Sequence, residues 1–136
     1  MDPLFHLVSS LPTVAAHFLI AVATWAIVAL LLIRLTPADE IKLIRAGNLA
    51  AAIWTGGMLI ALALPIAAAM RYSHGIAEVA AWSLLAALVQ AVTYVAAAAL
   101  AGKTRQRLEQ GDLASATMVA ATQIAVALIT AAALSG

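Results

Sequence analysis

Four long apolar segments, joined by short connectors that hold most of the charges, dominate this sequence. They cover roughly residues 13–35, 48–70, 77–100 and 112–134. An apolar run of ~18 residues or more is typical of a transmembrane helix, because such a run crosses the hydrocarbon core at ~1.5 Å per residue. Hydrocarbon offers the backbone no hydrogen-bond partners, so each segment must satisfy its own amides as a helix. The sequence therefore predicts an all-α integral membrane protein with four transmembrane helices in one domain, residues 1–136.

The second and fourth segments are similar to each other. Residues 44–70 and 108–134 align without a gap at an offset of 64 residues, so that Gly47 falls on Gly111. Such an internal repeat constrains the architecture. It predicts a tandem duplication of a two-helix hairpin. Each copy has two spans and so enters the membrane in the same direction, which predicts a parallel pseudo-two-fold repeat about the membrane normal. The two repeats cover about residues 13–70 and 77–134.

Lys and Arg are unevenly distributed between the two sides of the predicted bundle. Six of the seven lie in or beside the connectors at residues 35–47 and 101–111, and Arg71 lies on the other side. Short loops rich in Lys and Arg stay in the cytoplasm. We therefore expect cytoplasmic basic connectors and two external termini. The first apolar segment lacks the basic start of a signal peptide and is expected to remain in the mature protein.

Each basic connector has the sequence signals of a short interfacial helix. In the first, Thr36 is expected to cap the helix start, Gly47 to end it in a left-handed conformation, and Asn48 to cap the next span. The second connector repeats this pattern with Thr104, Gly111 and Asp112. Two interpretations are open: a well-capped turn between spans, or a surface on which a partner docks.

The spans contain no Asp, Glu, Lys or Arg at depth, but each has a sparse set of polar residues. Two interpretations are open for this set. Its members hold helices together through hydrogen bonds, or they line a path for an ion or small solute. Gln90 and Gln123 are the most informative, since an unpaired amide in hydrocarbon is costly, and we expect them to be paired, for example with each other. The candidate polar positions are His17, Thr24, Thr55, Ser83, Gln90, Tyr94, Ser115, Thr122, Gln123 and Thr130.

Two further features stand near the second span. Gly56 and Gly57 permit close helix packing, and Pro65 is expected to kink the helix, because it lacks an amide hydrogen. Beyond this span lies an outer ionisable cluster, in which a His and a Glu four residues apart are able to pair. This cluster comprises Arg71, His74 and Glu78. It is either a surface ion pair or an external ligand site.

Several function classes are disfavoured by composition. The chain has no Cys, which excludes disulfides and thiolate chemistry, and its net charge of +1 with no run of basic residues argues against nucleic acid as a partner. We find no carboxylate pair, His-rich metal set, nucleophile with a base, or phosphate-binding loop. The sequence therefore predicts no catalytic residues, no cofactor and no metal, and we expect a protein that is not an enzyme.

The assembled motifs resemble a bacterial inner-membrane family, the domain of unknown function 350. In the first half the resemblance rests on Asp39-Glu40, Gly47-Asn48, Gly56-Gly57 and Leu64-Pro65. In the second half it rests on Ser73-His74, Glu78, Trp82, Val89-Gln90 and Gly111-Asp112. Asp112 and Thr130 stand where the family pattern suggests Asn. The resemblance implies a duplicated four-helix protein of the inner membrane and brings no settled activity.

Two functional hypotheses remain. The first is a small non-enzymatic membrane module that forms a homo-oligomer, with other membrane proteins as candidate partners in an envelope-associated assembly. Its basis is the absence of catalytic motifs and the abundance of Ala and Gly on several helix faces, which favours close association in lipid. The second is a homo-oligomeric channel or transporter lined by the polar residues. Polar residues facing a water-wide cavity favour transport, whereas polar residues packed within the bundle favour the module.

Overall fold

The computed structural model describes residues 2–136, which form six α-helices. Four are long and two are short connectors between them. Their bounds are α1 Pro3–Leu35, α2 Glu40–Arg45, α3 Leu49–Tyr72, α4 Ile76–Ala101, α5 Thr104–Glu109 and α6 Leu113–Ser135. The four long helices are each apolar and long enough to cross a membrane. These features are those of an all-helical, multi-pass membrane protein.

Helix α1 begins ten residues before the apolar segment identified in the sequence. Asp2 accepts a hydrogen bond from the Leu4 amide, and Pro3 occupies the first helical position, where it suits a helix start. At 33 residues the helix is about 50 Å long, more than the hydrocarbon core requires. Residues 2–15 are all exposed, so this outer part of α1 extends away from the other helices.

Helix α3 forms the centre of the bundle. Its Trp54, Met58 and Leu62 side chains are completely buried, and it contacts α1, α4 and α6, with its most extensive contact on α6. Gly57 makes that contact close, since a Cβ atom built on Gly57 would stand 2.4 Å from the Cβ of Ala120. Large apolar side chains are also exposed on α1, α4 and α6, as is suitable for a bundle surrounded by lipid.

The junctions before α3 and α6 have the same backbone geometry. Gly47 and Gly111 have φ values of +85° and +71°, the left-handed region that favours glycine. Asn48 and Asp112 follow as N-caps, and their side chains accept hydrogen bonds from the amides three residues later. The Asn48 side-chain amide also donates to the Leu108 carbonyl, at 2.6 Å. The two junctions therefore lie against each other, and α3 and α6 run parallel from them.

Two expected caps are wrong. Asp39 caps α2, since its carboxylate accepts from the Lys42 amide, whereas Thr36 ends α1 and bonds back to the Leu32 carbonyl. In the second connector Lys103 precedes α5 with a left-handed φ of +46°, and Thr104 is already helical. Pro37 explains the first error, because the residue before a proline is pushed toward an extended conformation and α2 starts three residues later.

Candidate functional site

A buried carboxylate lies at the connector end of the bundle. The short helix α2 turns Glu40 inward, where it is 1% exposed. Its Oε2 accepts a hydrogen bond from the Thr55 hydroxyl of α3 at 2.7 Å, and its Oε1 accepts one from the Tyr94 hydroxyl of α4 at 2.9 Å. Both oxygens therefore have a hydroxyl donor. Among residues 2–136, the ion pairs are His74–Glu78, Arg105–Glu109 and Arg107–Asp112, so no cation pairs with Glu40.

Tyr94 is the centre of this hydrogen-bond network. Besides donating to Glu40, its hydroxyl oxygen accepts from the Trp54 indole N–H at 3.0 Å and is hydrogen-bonded to the Thr36 hydroxyl. The rings of Trp54 and Tyr94 meet edge to face, with centroids 6.4 Å apart. The network joins the end of α1, the start of α2, and the interiors of α3 and α4. It fixes the connector helix against the bundle through one carboxylate.

The predicted polar face of α4 lies inside the bundle. Ser83, Gln90 and Tyr94 are buried, as is Gln123 on α6. The expected pairing of the two glutamines is wrong, since no amide atom of Gln90 or Gln123 has a hydrogen-bond partner among residues 2–136. The Ser83 hydroxyl likewise lacks one. Periodicity identified the face correctly, but whether two amides meet depends on how α4 is rotated against α6.

The other predicted polar positions lie elsewhere. Thr24, Thr122 and Thr130 donate to carbonyls four residues earlier in their own helices. Ser115 belongs to the junction before α6, where it contacts Asp112. His17 is partly buried on α1, and its Nε2 has no partner in the described part of the chain. The polar residues of α6 therefore diverge: Gln123 faces the interior and Thr122 the exterior.

The outer ionisable cluster is on the surface. His74 Nδ1 lies 3.9 Å from Glu78 Oε2, and the two side chains are 93% and 55% exposed. His74 precedes α4 rather than lying in it, and its backbone amide donates to Glu78 at 2.9 Å. Arg71 instead stacks 5.7 Å from the centre of the Tyr72 ring. Glu78, in the first turn of α4, therefore bonds to the backbone that precedes the helix.

The junction before α6 carries an ionic network absent from the junction before α3. Arg107 donates to Asp112 at 2.8 Å and to the Ser115 hydroxyl at 2.9 Å. Asp112 also accepts from the Ser115 amide and hydroxyl. These Ser115 hydrogen bonds and the Arg107 guanidinium lower the pKa of Asp112 from 3.8 to about 2. An aspartate at this position therefore holds the start of α6 as an ionised cap.

Comparison with known proteins decides the family. The model of the domain of unknown function 350 (DUF350) matches residues 6–134, nearly the whole chain. This chain belongs to the DUF350 family. The resemblance identified in the sequence is thereby confirmed. No curated protein and no solved structure matches the chain significantly.

Glu40, the buried carboxylate of this DUF350 protein, was not among the site residues predicted from the sequence. Glu40 falls in a connector, and no charge was expected at depth. The signal was its position: Glu40 lies three residues before Leu43 on α2, hence on the face that packs against the core. Asp39, one residue earlier, is exposed. A carboxylate on the apolar face of an interfacial helix was the available clue.

The surroundings of Glu40 consist of hydrogen-bonding side chains. Within residues 2–136, no group of three or more His, Asp or Glu side chains is placed to hold a metal ion. The partners of Glu40 are hydroxyl groups, which are able to donate to a carboxylate and to accept from a carboxylic acid. An ionisable residue buried in a membrane protein is by default a candidate functional site.

Proposed function

We propose that this DUF350 protein is a small non-enzymatic module of the bacterial inner membrane that self-associates and serves an envelope-associated membrane assembly. The observation that best supports this proposal is that polar side chains lie inside the bundle and apolar side chains lie on its outer surface. Ser83, Gln90 and Gln123 are buried within one chain, whereas the outer surface is apolar. A surface of this kind is suited to contact lipid and other membrane helices.

The outer face of α6 is the best candidate for contact between copies. Thr117, Ala121 and Ala125 are exposed on it at four-residue intervals. Small residues at this spacing let two helices approach closely in lipid, where packing rather than the hydrophobic effect drives association. The exposed residues of α1 are instead mostly bulky, such as Leu30 and Leu31. The simplest assembly is a dimer through α6.

The tandem duplication and the orientation belong to the same proposal. The junctions at Gly47 and Gly111 have the same left-handed backbone conformation, and Gly57 contacts Ala120. Both observations support two hairpins related by a pseudo-two-fold axis along the membrane normal. The basic residues of the connectors support a cytoplasmic position for α2 and α5, with both termini outside.

A homo-oligomeric channel lined by the polar residues is the second candidate. One observation favours it: a groove of about 460 Å³ between the connector ends of α4 and α6 contains Arg107, Ser115 and Thr122. Against it, the two glutamines are turned away from the surface that an oligomer would use. The module is therefore better supported.

Native mass spectrometry of the purified protein, in several detergents and in nanodiscs, tests the module. We expect a dimer for the wild type and a larger monomer fraction for Ala121→Leu, because the added side chain separates the helices. Ala96→Leu, on the exposed face of α4, is the matched control and should remain dimeric. Monomers under every condition would contradict self-association.

A further inference from the structure

Besides His17 Nε2 on α1, five buried polar side-chain atoms have no hydrogen-bond partner among residues 2–136. They are Ser83 Oγ and the four amide atoms of Gln90 and Gln123. All three residues are 0% exposed. Buried polar groups are almost always hydrogen-bonded, and where protein groups do not supply the bonds, ordered water does. Three such side chains inside one bundle are therefore candidate sites for bound water.

The two glutamines lie at similar depth near the middle of the bundle. Gln123 is three residues beyond Ala120, which contacts Gly57, so it is level with about residue 60, the midpoint of α3. Tyr94 is level with Trp54, to which it is hydrogen-bonded. Gln90 precedes Tyr94 by four residues on α4, which runs toward the connector α5. Gln90 therefore lies about 6 Å farther from the connector side than Tyr94 does. That places Gln90 level with about residue 58, within about 3 Å of the depth of Gln123.

Between this depth and the outer end of the bundle, opposite the connectors, lie Ser83 and a pocket. Ser83 is two turns, about 10 Å, further out than Gln90 on the same face of α4. The preceding residue, Trp82, lines an outer pocket of about 240 Å³ together with Tyr72 and Ser73 from the end of α3 and Leu134 from the end of α6. Of the buried polar residues on α4, Ser83 is therefore the one nearest along the helix to a pocket between α3, α4 and α6.

Toward the connectors, the series of buried polar residues ends at Glu40. Tyr94 follows Gln90 by one turn, and its hydroxyl donates to Glu40. The groups that meet the carboxylate are this hydroxyl and that of Thr55, while Thr36 and Trp54 meet Tyr94. Asp39, the neighbour of Glu40, is exposed. The residue before the buried carboxylate therefore lies at the surface of the connector side.

We propose that water bound at Ser83, Gln90 and Gln123 joins the outer pocket to Glu40, and that each chain conducts protons along this column. The Thr36 hydroxyl has a second acceptor in the Leu32 carbonyl, and turning to it frees a lone pair on the Tyr94 oxygen. A proton arriving from the water column binds that lone pair as the Tyr94 hydroxyl passes its own proton to Glu40. The carboxylic acid so formed releases a proton to water on the connector side and returns to carboxylate. Each cycle moves one proton and consumes no other reactant. The column lies within one chain, so it operates whether or not the protein self-associates.

Purified protein in liposomes containing a pH-sensitive dye tests this proposal. A potassium gradient with valinomycin sets the membrane potential, and the rate of internal acidification is measured. We expect wild-type vesicles to acidify faster than protein-free vesicles. Glu40→Gln and Gln123→Leu should reduce the rate to that of protein-free vesicles. Thr122→Val, which alters an exposed hydroxyl beside Gln123, is the matched control and should keep the wild-type rate.

Three results would overturn the column. The first is a wild-type rate equal to that of protein-free vesicles, and the second is an undiminished rate in both Glu40→Gln and Gln123→Leu. If either variant fails to insert as a folded protein, Gln90→Met replaces it, because Met has nearly the shape of Gln without its polar atoms. The third is infrared spectroscopy of the wild type in which no carboxyl band assigned through Glu40→Gln responds to pH.

Discussion

The backbone of Gly57 lies directly against Ala120, with space for a hydrogen atom and none for a methyl group. A Cβ atom built on Gly57 would stand 2.4 Å from the Cβ and 2.8 Å from the Cα of Ala120, whereas one built on Gly56 meets nothing within 4 Å. Adjacent glycines of one helix therefore have different roles. Gly57 sets the separation of α3 from α6, and Gly56 does not.

Gly57→Ala should destabilise the bundle, and Gly56→Ala should not. Overpacking at Ala120 is expected to cost about 1–3 kcal/mol, while alanine at position 56 is expected to favour the helix by up to about 1 kcal/mol. Thermal unfolding in one detergent, followed by circular dichroism, compares the two variants. Equal melting temperatures would contradict the close contact between α3 and α6.

Removing the Glu40 carboxylate should loosen α2. Glu40→Ala leaves the Thr55 and Tyr94 hydroxyls without their acceptor, at a cost of about 1–3 kcal/mol for each donor left unpaired. Glu109→Ala removes an exposed carboxylate from the other connector and should have little effect on the melting temperature. Limited proteolysis within residues 36–48 should become faster in Glu40→Ala only. Unchanged proteolysis and melting in Glu40→Ala would show that the network does not hold α2.

The sequence predicted the helices well and the interior only in part. Hydropathy located the four long helices because a membrane span must be apolar, but it missed the first turns of α1. Ser9 and Ser10 interrupt the apolar run there, yet the helix continues through them, and their hydroxyls bond to carbonyls three residues earlier. Periodicity placed Ser83, Gln90 and Tyr94 on one face correctly, since helix geometry alone decides that. The burial of Glu40 depends on how α2 docks against α3, which is a tertiary contact with no local pattern.

Asp112 should make stability depend on pH in the acidic range. Its pKa is lowered from 3.8 to about 2 in the folded protein, so folding favours the ionised form. The resulting stabilisation is complete above the unfolded value and disappears as the pH falls through the folded value. Asp112→Asn retains an N-cap, as Asn48 does, and should flatten the melting-temperature profile between these two values. A profile identical to wild type would contradict the ionised cap.

The orientation is testable with single cysteines, because the chain has none of its own. His74→Cys should react with a membrane-impermeant maleimide on intact spheroplasts, and Gln110→Cys only after permeabilisation. A reporter fused after Gly136 should likewise behave as exported. Labelling of Gln110→Cys on intact cells would reverse the assignment made from the basic connectors.

The central claim is that the polar residues lie inside each chain and that copies meet through the outer face of α6. Cross-linking through two nearby positions of α6 tests this claim most directly. Ala121 is exposed and Gln123 is 0% exposed, although they are only two positions apart. In membranes treated with a mild oxidant, the Ala121→Cys variant should form disulfide-linked dimers and the Gln123→Cys variant should stay monomeric. Dimers through Gln123→Cys with none through Ala121→Cys would contradict the proposed module and place the polar residues between subunits.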